Sequence, residues 1–207
     1  MSLRHSYTLL APVYDSIVSA PIDKWRRKSL SRIDNDSHRD ILITGIGSGL
    51  DIPYLDNGIS YTGTDLTPAM LDRARERAAQ HAEVDIELLI ADSQSLPFED
   101  ASFDAVVMHL ILAVVPEPER ALQESYRVLR PGGRIYIFDK FLRPGQLAIM
   151  RRLLNVFIRH IATRTDVVFE DVHGTCPGLK LVDDQPVLAN GWFRLIELSK
   201  DTREQET

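Results

Sequence analysis

Three short stretches of the chain carry the residue types from which a nucleoside site is built. Gly45-Ile46-Gly47-Ser48-Gly49 sets three glycines within five positions. Lacking a Cβ, such residues let the backbone turn sharply and come close to a ligand. Asp65 stands twenty residues after Gly45, an interval at which a carboxylate can accept hydrogen bonds from both hydroxyls of a ribose. Asp92, beside Ser93, offers another acceptor. Leu50 occupies the position where a dinucleotide turn of the form G-x-G-x-x-G needs its last glycine, which argues against a nicotinamide cofactor. Tyr136 and Lys140 have the spacing of a dehydrogenase pair, but they fall on or just after a strand rather than on a helix. His173 and Cys176 are a close pair of soft ligands and fall short of the four that a zinc site takes, so no metal is expected. Cys176 reads as a small buried or loop residue.

These residues need a scaffold that brings distant parts of the chain to one edge. From Asp40 onward, short apolar or β-branched runs alternate with helical patterns. Strands are expected at 41–44, 60–64, 86–90, 103–107 and 134–138, of the kind found in a parallel sheet covered on both faces. Thr67-Pro68 gives an N-cap and a first-turn proline for one helix. A second is expected from Pro118 to Leu129, stopped by Pro131-Gly132-Gly133, and a third over 146–162. Residues 179–187 and 192–198 read as a hairpin joined by Leu188-Ala189-Asn190-Gly191. The expected fold is α/β: a doubly wound, Rossmann-like, seven-stranded sheet with a C-terminal antiparallel hairpin. Residues 1–207 form one domain, with a helical lid at 1–38, a cofactor-binding core at 40–139, a basic cap helix within 140–170 and the hairpin at 179–199. In such a sheet the turns at 45–49, 65 and 92 lie at the carboxyl ends of adjacent strands and can surround one nucleoside.

A length of 207 residues suits a single α/β domain. With 44% hydrophobic and 26% charged residues, the chain has the composition of a folded protein rather than a disordered one. The single cysteine excludes an internal disulfide and fits a reducing compartment. No basic leader with an apolar run opens the sequence, and the run from Ala105 to Val115 is too short to span a bilayer. A soluble, cytoplasmic protein is the expectation. The net charge of −6 speaks against nucleic acid as the main partner. That charge is unevenly spread. Over residues 1–32, Arg4, Lys24, Arg26, Arg27, Lys28 and Arg32 face only Asp15 and Asp23, and residues 140–164 carry Lys140 and five arginines with no carboxylate.

The ordered motifs Ile41-Leu-Ile-Thr-Gly-Ile-Gly-Ser-Gly49, Thr64-Asp65-Leu-Thr-Pro-Ala-Met-Leu71, Ala91-Asp92-Ser-Gln-Ser-Leu-Pro-Phe98, Phe103-Asp104 and Val128-Leu-Arg-Pro-Gly-Gly133 resemble those of class I S-adenosylmethionine-dependent methyltransferases. The likeness is strongest to the ubiquinone/menaquinone C-methyltransferase-like group. Tyr14-Asp15 with Arg26-Arg27, and Val114-Val-Pro-Glu-Pro118, are similar to bacterial phosphatidylethanolamine N-methyltransferases. The resemblance covers about residues 7–199 and implies S-adenosylmethionine as cofactor. By position it implies that Gly45, Gly47 and Gly49, with Ser48, approach the methionine part. It further implies that Asp65 holds the ribose, that Leu66 flanks the adenine, and that Asp92 and Ser93 meet the adenine edge. Met108 is a further implied cofactor contact. One position departs from the pattern: Ile43 stands two residues before the first glycine, where the family usually has an acidic residue near the cofactor's ammonium.

The chemistry that the resemblance implies is in-line displacement at a methyl group already activated by a sulfonium charge, so proximity and alignment dominate. A general base is needed where the acceptor arrives protonated. His109 and Tyr14 are the candidates. His109 reads equally as a histidine packed in an apolar turn, and Tyr14 as a lid residue. Arg27 reads as a partner for the cofactor carboxylate or as a solvated charge. The helix over 146–162 has a broad apolar face, with Arg151, Arg152 and Arg159 on the remaining arc. It reads as a cap burying its apolar side on the sheet, or as a peripheral membrane contact at the inner membrane face. The acceptor is expected to be a small molecule or lipid (an amine, quinone or hydroxyl). A non-catalytic S-adenosylmethionine-binding regulator or scaffold is the alternative, motivated by Ile43. Methylation of nucleic acid bases is disfavoured, because Met108-His-Leu-Ile111 stands where an Asn-Pro-Pro-Tyr-type motif is expected. Oligomeric state is not encoded in any motif.

Overall fold

The computed structural model describes residues 22–34, 37–142 and 167–202. Tyr14 and the basic helix expected over 146–162 lie outside the described residues.

Seven strands form one sheet: β1 (Asp40–Thr44), β2 (Ser60–Asp65), β3 (Asp85–Ile90), β4 (Phe103–His109), β5 (Leu129–Lys140), β6 (Leu179–Leu188) and β7 (Phe193–Lys200). Their order is β3-β2-β1-β4-β5-β7-β6. The first five run parallel, and β7 inserts antiparallel between β5 and β6. The doubly wound sheet and terminal hairpin expected from the sequence are both present. Helix α1 spans 22–30, α2 Pro68–Ala78, α3 Pro118–Val128 and α4 Phe169–His173.

Strand alternation sends side chains to two cores. Ile41, Ile43, Ala105, Val107 and Tyr136 pack with Leu30 of α1 and with Leu71 and Ala74 of α2. Leu42, Val106, Met108, Ile135 and Ile137 pack with Leu122 and Val128 of α3 and Phe169 of α4. Burial on both faces accounts for the nearly continuous apolar runs of the inner strands.

Two boundaries differ from expectation. Pro131-Gly132-Gly133 does not separate helix from strand: β5 already begins at Leu129, which pairs with Phe103 before a register shift to Ala105–Arg134. β4 extends to His109, which pairs with Phe138, so this histidine ends the strand rather than following it. Asp104, from one of the recognised motifs, lies at the opposite end of β4. There it accepts the N–H groups of Arg39 (2.8 Å) and Asp40 (3.0 Å) and pairs with Arg130 (2.6 Å), bracing the amino end of the sheet.

Chain order reverses between β1 and β4, so the crevice at their carboxyl ends is the topological switch point where ligands bind in open α/β sheets. The glycine turn follows β1 and His109 ends β4, both at this crevice.

Candidate active site

The glycine turn is shaped by a backbone conformation that favours glycine at three positions and by close contacts at two of them. Gly45, Gly47 and Gly49 have φ of +70°, +58° and +77°, a region costing other L-residues about 1–2 kcal/mol. A Cβ on Gly45 would stand 2.5 Å from Ile111 Cδ1, and one on Gly49 would stand 2.6 Å from Ile52 Cδ1. A Cβ on Gly47 would meet nothing within 4 Å. The turn is thus pressed against Ile111 at one end and against Ile52 and Ala74 of α2 at the other, and is open at its middle. Ser48 is buried, and its carbonyl accepts from the Arg77 guanidinium of α2.

Asp65 reaches back to this turn. Its Oδ2 accepts the Gly47 N–H at 3.0 Å and its Oδ1 the Thr67 N–H at 2.8 Å. Burial raises its pKa above the ordinary carboxylate value, against the opposing effect of these two donors. Each oxygen keeps lone-pair capacity for a ligand hydroxyl. Leu66, next along, is 47% exposed, an apolar surface beside the carboxylate. Asp92 accepts from the Gln94 backbone (2.9 Å) and side chain (3.0 Å), with Ser93 buried beside it. Met108 has 0% exposure and packs in the α3-side core, so the strand turns this expected contact away from solvent.

His109 sits in a fully buried polar cluster. Its Nδ1 lies 2.9 Å from Asp51 Oδ1 and its Nε2 2.9 Å from Ser29 Oγ. The same Asp51 oxygen accepts from Arg26 Nη1 at 3.0 Å. The Phe138 ring stands edge-on to the imidazole. The carboxyl of Asp51 is held well below the usual carboxylate range: His109 and Arg26 outweigh the desolvation that would raise it. Arg27, the arginine singled out from the sequence, is exposed, with its guanidinium 5.4 Å from the centre of the Tyr54 ring. The inward-facing arginine is its neighbour.

Asp51, Arg26 and Ser29 were not legible as site residues. A signal existed for α1, where Ile22, Arg26, Ser29 and Leu30 form a buried stripe at helical spacing. Nothing in the spacing ties them to Asp51 or His109, which are far apart in the chain.

Asp139, near the end of β5, was also missed. Its side chain accepts the N–H groups of Ala113 (3.1 Å) and Lys140 (2.8 Å). Burial pushes its pKa up to about 6. It thereby fastens the loop that begins at Leu110 (φ +57°) and carries Ile111 over Gly45. Ile43 has 1% exposure and packs with Ile46 and Ile52, so the position that is acidic in the resembled family is filled by core. Among the described residues, no cluster of three or more His, Cys, Asp or Glu side chains could hold a metal ion.

The sheet order, the glycine turn at the switch point and the acidic residue ending β2 are those of the class I methyltransferase fold. Residues 42–137 match the family described as a methyltransferase domain. The chain belongs to the class I S-adenosylmethionine-dependent methyltransferases: it is 32% identical over 190 residues to a phosphatidylethanolamine N-methyltransferase of Cereibacter sphaeroides, covering 91% of this chain and 93% of that one. It is 33% identical over 135 residues to a demethylmenaquinone methyltransferase of Paenarthrobacter aurescens, covering 63% of this chain and 51% of that protein. Among solved structures, the [4+2]-cyclase SpnF superposes with a TM-score of 0.77 at 18% identity, covering 96% of this chain and 95% of that one. That likeness concerns the fold.

The family implies S-adenosylmethionine as methyl donor, and the residues present fit its adenosine half. The open middle of the glycine turn offers backbone to a ligand, and Asp65 can take ribose hydroxyls. When bound, this cofactor supplies a methyl group on a positively charged sulfur. What remains for the protein is to hold donor and acceptor in line, keep water out and manage the acceptor's proton.

Proposed function

We propose that this methyltransferase acts on a small amphiphilic acceptor, the primary amine of a phospholipid headgroup. The observation that carries this reading is the match along 93% of the phosphatidylethanolamine N-methyltransferase, against 51% and 69% of two demethylmenaquinone methyltransferases. Apart from the buried Arg26, the basic residues of 1–32 and 140–164 agree with an anionic lipid surface as the meeting place, worth about 1 kcal/mol per Lys or Arg near the membrane. Among the described residues no helix is long and apolar enough to cross a membrane, so contact with lipid would be peripheral. In this reading Gly45, Gly47, Ser48 and Gly49 line the methionine side of the cofactor. Asp65 takes the ribose, while Leu66, Asp92 and Ser93 border the adenine. His109, at the end of β4, would manage the acceptor's proton. An amine reaches neutral pH as ammonium and must lose a proton before it can attack, which gives a buried histidine work to do.

A second reading, cofactor binding without turnover, is favoured by Ile43: no carboxylate stands at the position that would meet the cofactor's ammonium. The experiment that separates them incubates the purified full-length chain with methyl-labelled S-adenosylmethionine and vesicles containing phosphatidylethanolamine. Label entering the lipid phase, in mono- or dimethylated headgroup, is the expected result. Label found instead in an added demethylmenaquinone would move the acceptor to the quinone class. Cofactor binding with no label transferred to either, or to any fraction of a cell extract, would favour the second reading.

A further inference from the structure

Four buried polar groups, Arg26, Asp51, His109 and Ser29, leave little freedom in where the protons are. Arg26 is permanently charged and Asp51 is ionised, so the carboxylate can only accept. Nδ1 of His109, 2.9 Å away, must therefore donate. In the neutral imidazole this fixes Nε2 as an acceptor, and its partner at 2.9 Å, the Ser29 hydroxyl, must donate to it. The chain of hydrogen bonds runs in one direction, from Ser29 through His109 to Asp51.

That direction can reverse at one link without breaking any bond. If a proton passes from Ser29 Oγ to Nε2, the imidazolium donates back to the same oxygen, and Asp51 still accepts from Nδ1. The hydroxyl has further lone-pair capacity and can take an N–H from another molecule as its own proton leaves. We infer that Ser29, His109 and Asp51 form a proton relay for deprotonating the acceptor, with Ser29 at its receiving end, and Asp51 and Arg26 as positioning residues that fix the imidazole tautomer. The inference rests on the amine-acceptor reading. In the balanced step, the acceptor ammonium gives H⁺ to Ser29 Oγ while the Ser29 proton moves to Nε2. The freed lone pair on nitrogen forms the N–CH₃ bond as the S–CH₃ bond breaks, and the imidazolium returns its proton through Ser29 to solvent once the product has left.

Burial supports this assignment. Ser29 is 2% and His109 4% exposed, so bulk water does not compete for the relay. A histidine serving packing alone would need neither the carboxylate nor its guanidinium counter-ion. Each costs several kcal/mol to desolvate, and together they are weak evidence for a purely stabilising role. The groups that face the imidazole are Asp51 from the glycine loop, Arg26 and Ser29 from α1, and Phe138 from β5.

Two measurements on the full chain test the relay. In protein labelled with ¹⁵N-histidine, long-range ¹H–¹⁵N spectra at pH 8 should show the His109 ring as the neutral Nδ1–H tautomer. An Nε2–H tautomer there would overturn the relay. In methyl transfer to phosphatidylethanolamine vesicles, S29A should lower kcat by about 100-fold or more, the size of a general-base contribution. KM for S-adenosylmethionine should stay within about threefold, because uniform binding is untouched. S29A removes no charge and so avoids the folding risk of changing Asp51. An S29A protein with unchanged kcat would overturn the relay. A wild-type protein that methylates no phosphatidylethanolamine would sink the acceptor reading instead, whereas an Nε2–H tautomer would overturn the relay whatever the acceptor.

Discussion

Asp51, just past the glycine turn, and Asp139, near the end of β5, have exposures of 1% and 0% at the same edge of the sheet. Their surroundings move them in opposite directions. Asp51 faces a guanidinium and an imidazole, and stays ionised far below the usual carboxylate range. Asp139 is held by backbone N–H groups, with the partly buried Lys140 ammonium as a weaker influence, and burial pushes it up to about 6. Backbone dipoles alone do not offset the loss of water around a carboxylate, whereas a charged partner at hydrogen-bond distance does. The first site fixes charges and tautomers. The second holds a loop and is free to titrate.

The largest test of this contrast removes one carboxylate at a time. D51A leaves Arg26 buried without its counter-ion, a situation that typically costs about 3–5 kcal/mol. D139N keeps one carbonyl acceptor and strands no charge, but sets its amide N–H₂ against the Ala113 or Lys140 N–H, so urea denaturation at pH 7 should show a smaller loss than D51A. Equal losses would mean that the Asp51 pair is ordinary packing.

The pH dependence should split the same way. The native pKa of Asp51 is lower than its unfolded value of 3.8. Its stabilisation is therefore present above pH 4 and is lost only as pH falls further. For Asp139 the native value is the higher one, about 6 against 3.8. Its contribution is full below about pH 4 and is lost as pH rises through 6, a change on the order of 3 kcal/mol. Denaturation midpoints of wild type and D139N, compared at pH 4.5 and 7.5, should shift in favour of D139N at the higher pH. No relative shift would show that Asp139 titrates normally and that the contrast is false.

How much of this was legible in the sequence follows from how local each feature is. The parallel strands announce themselves because burial on both faces makes short continuous apolar runs, as in Ile41-Leu42-Ile43. Gly45, Gly49 and Asp65 were legible because a sharp turn and a strand-end carboxylate depend on nearby residues. The His109 cluster is different: its histidine joins Asp51 and Ser29 from 58 and 80 positions away. Arg26 and Arg27 look alike in sequence, and only the phase of α1 on the sheet decides which points inward. Pro131-Gly132-Gly133 misled for a related reason. It reads as a break, yet strand pairing begins on both sides of it, through a register shift that residue types do not encode.

Asp65 gives the smallest and sharpest of the tests, because it lies between the two extremes. Like Asp139 it is held by backbone N–H groups, and burial raises its pKa. Unlike either buried carboxylate, it borders the open middle of the glycine turn, where a ligand can complete its hydrogen bonds. D65N would set an amide N–H₂ against the Gly47 or Thr67 N–H, and would lose an acceptor for the ribose. Calorimetry with S-adenosylhomocysteine should show affinity reduced by about 10- to 100-fold, the worth of a charge-assisted hydrogen bond, with little change in denaturation midpoint. In the wild type, the same affinity should fall as pH drops through the raised pKa of Asp65, since the protonated carboxyl can accept fewer hydrogen bonds. If D65N instead lowered the midpoint as far as D51A and left affinity intact, Asp65 would belong with the structural carboxylates and the crevice would need another ribose partner.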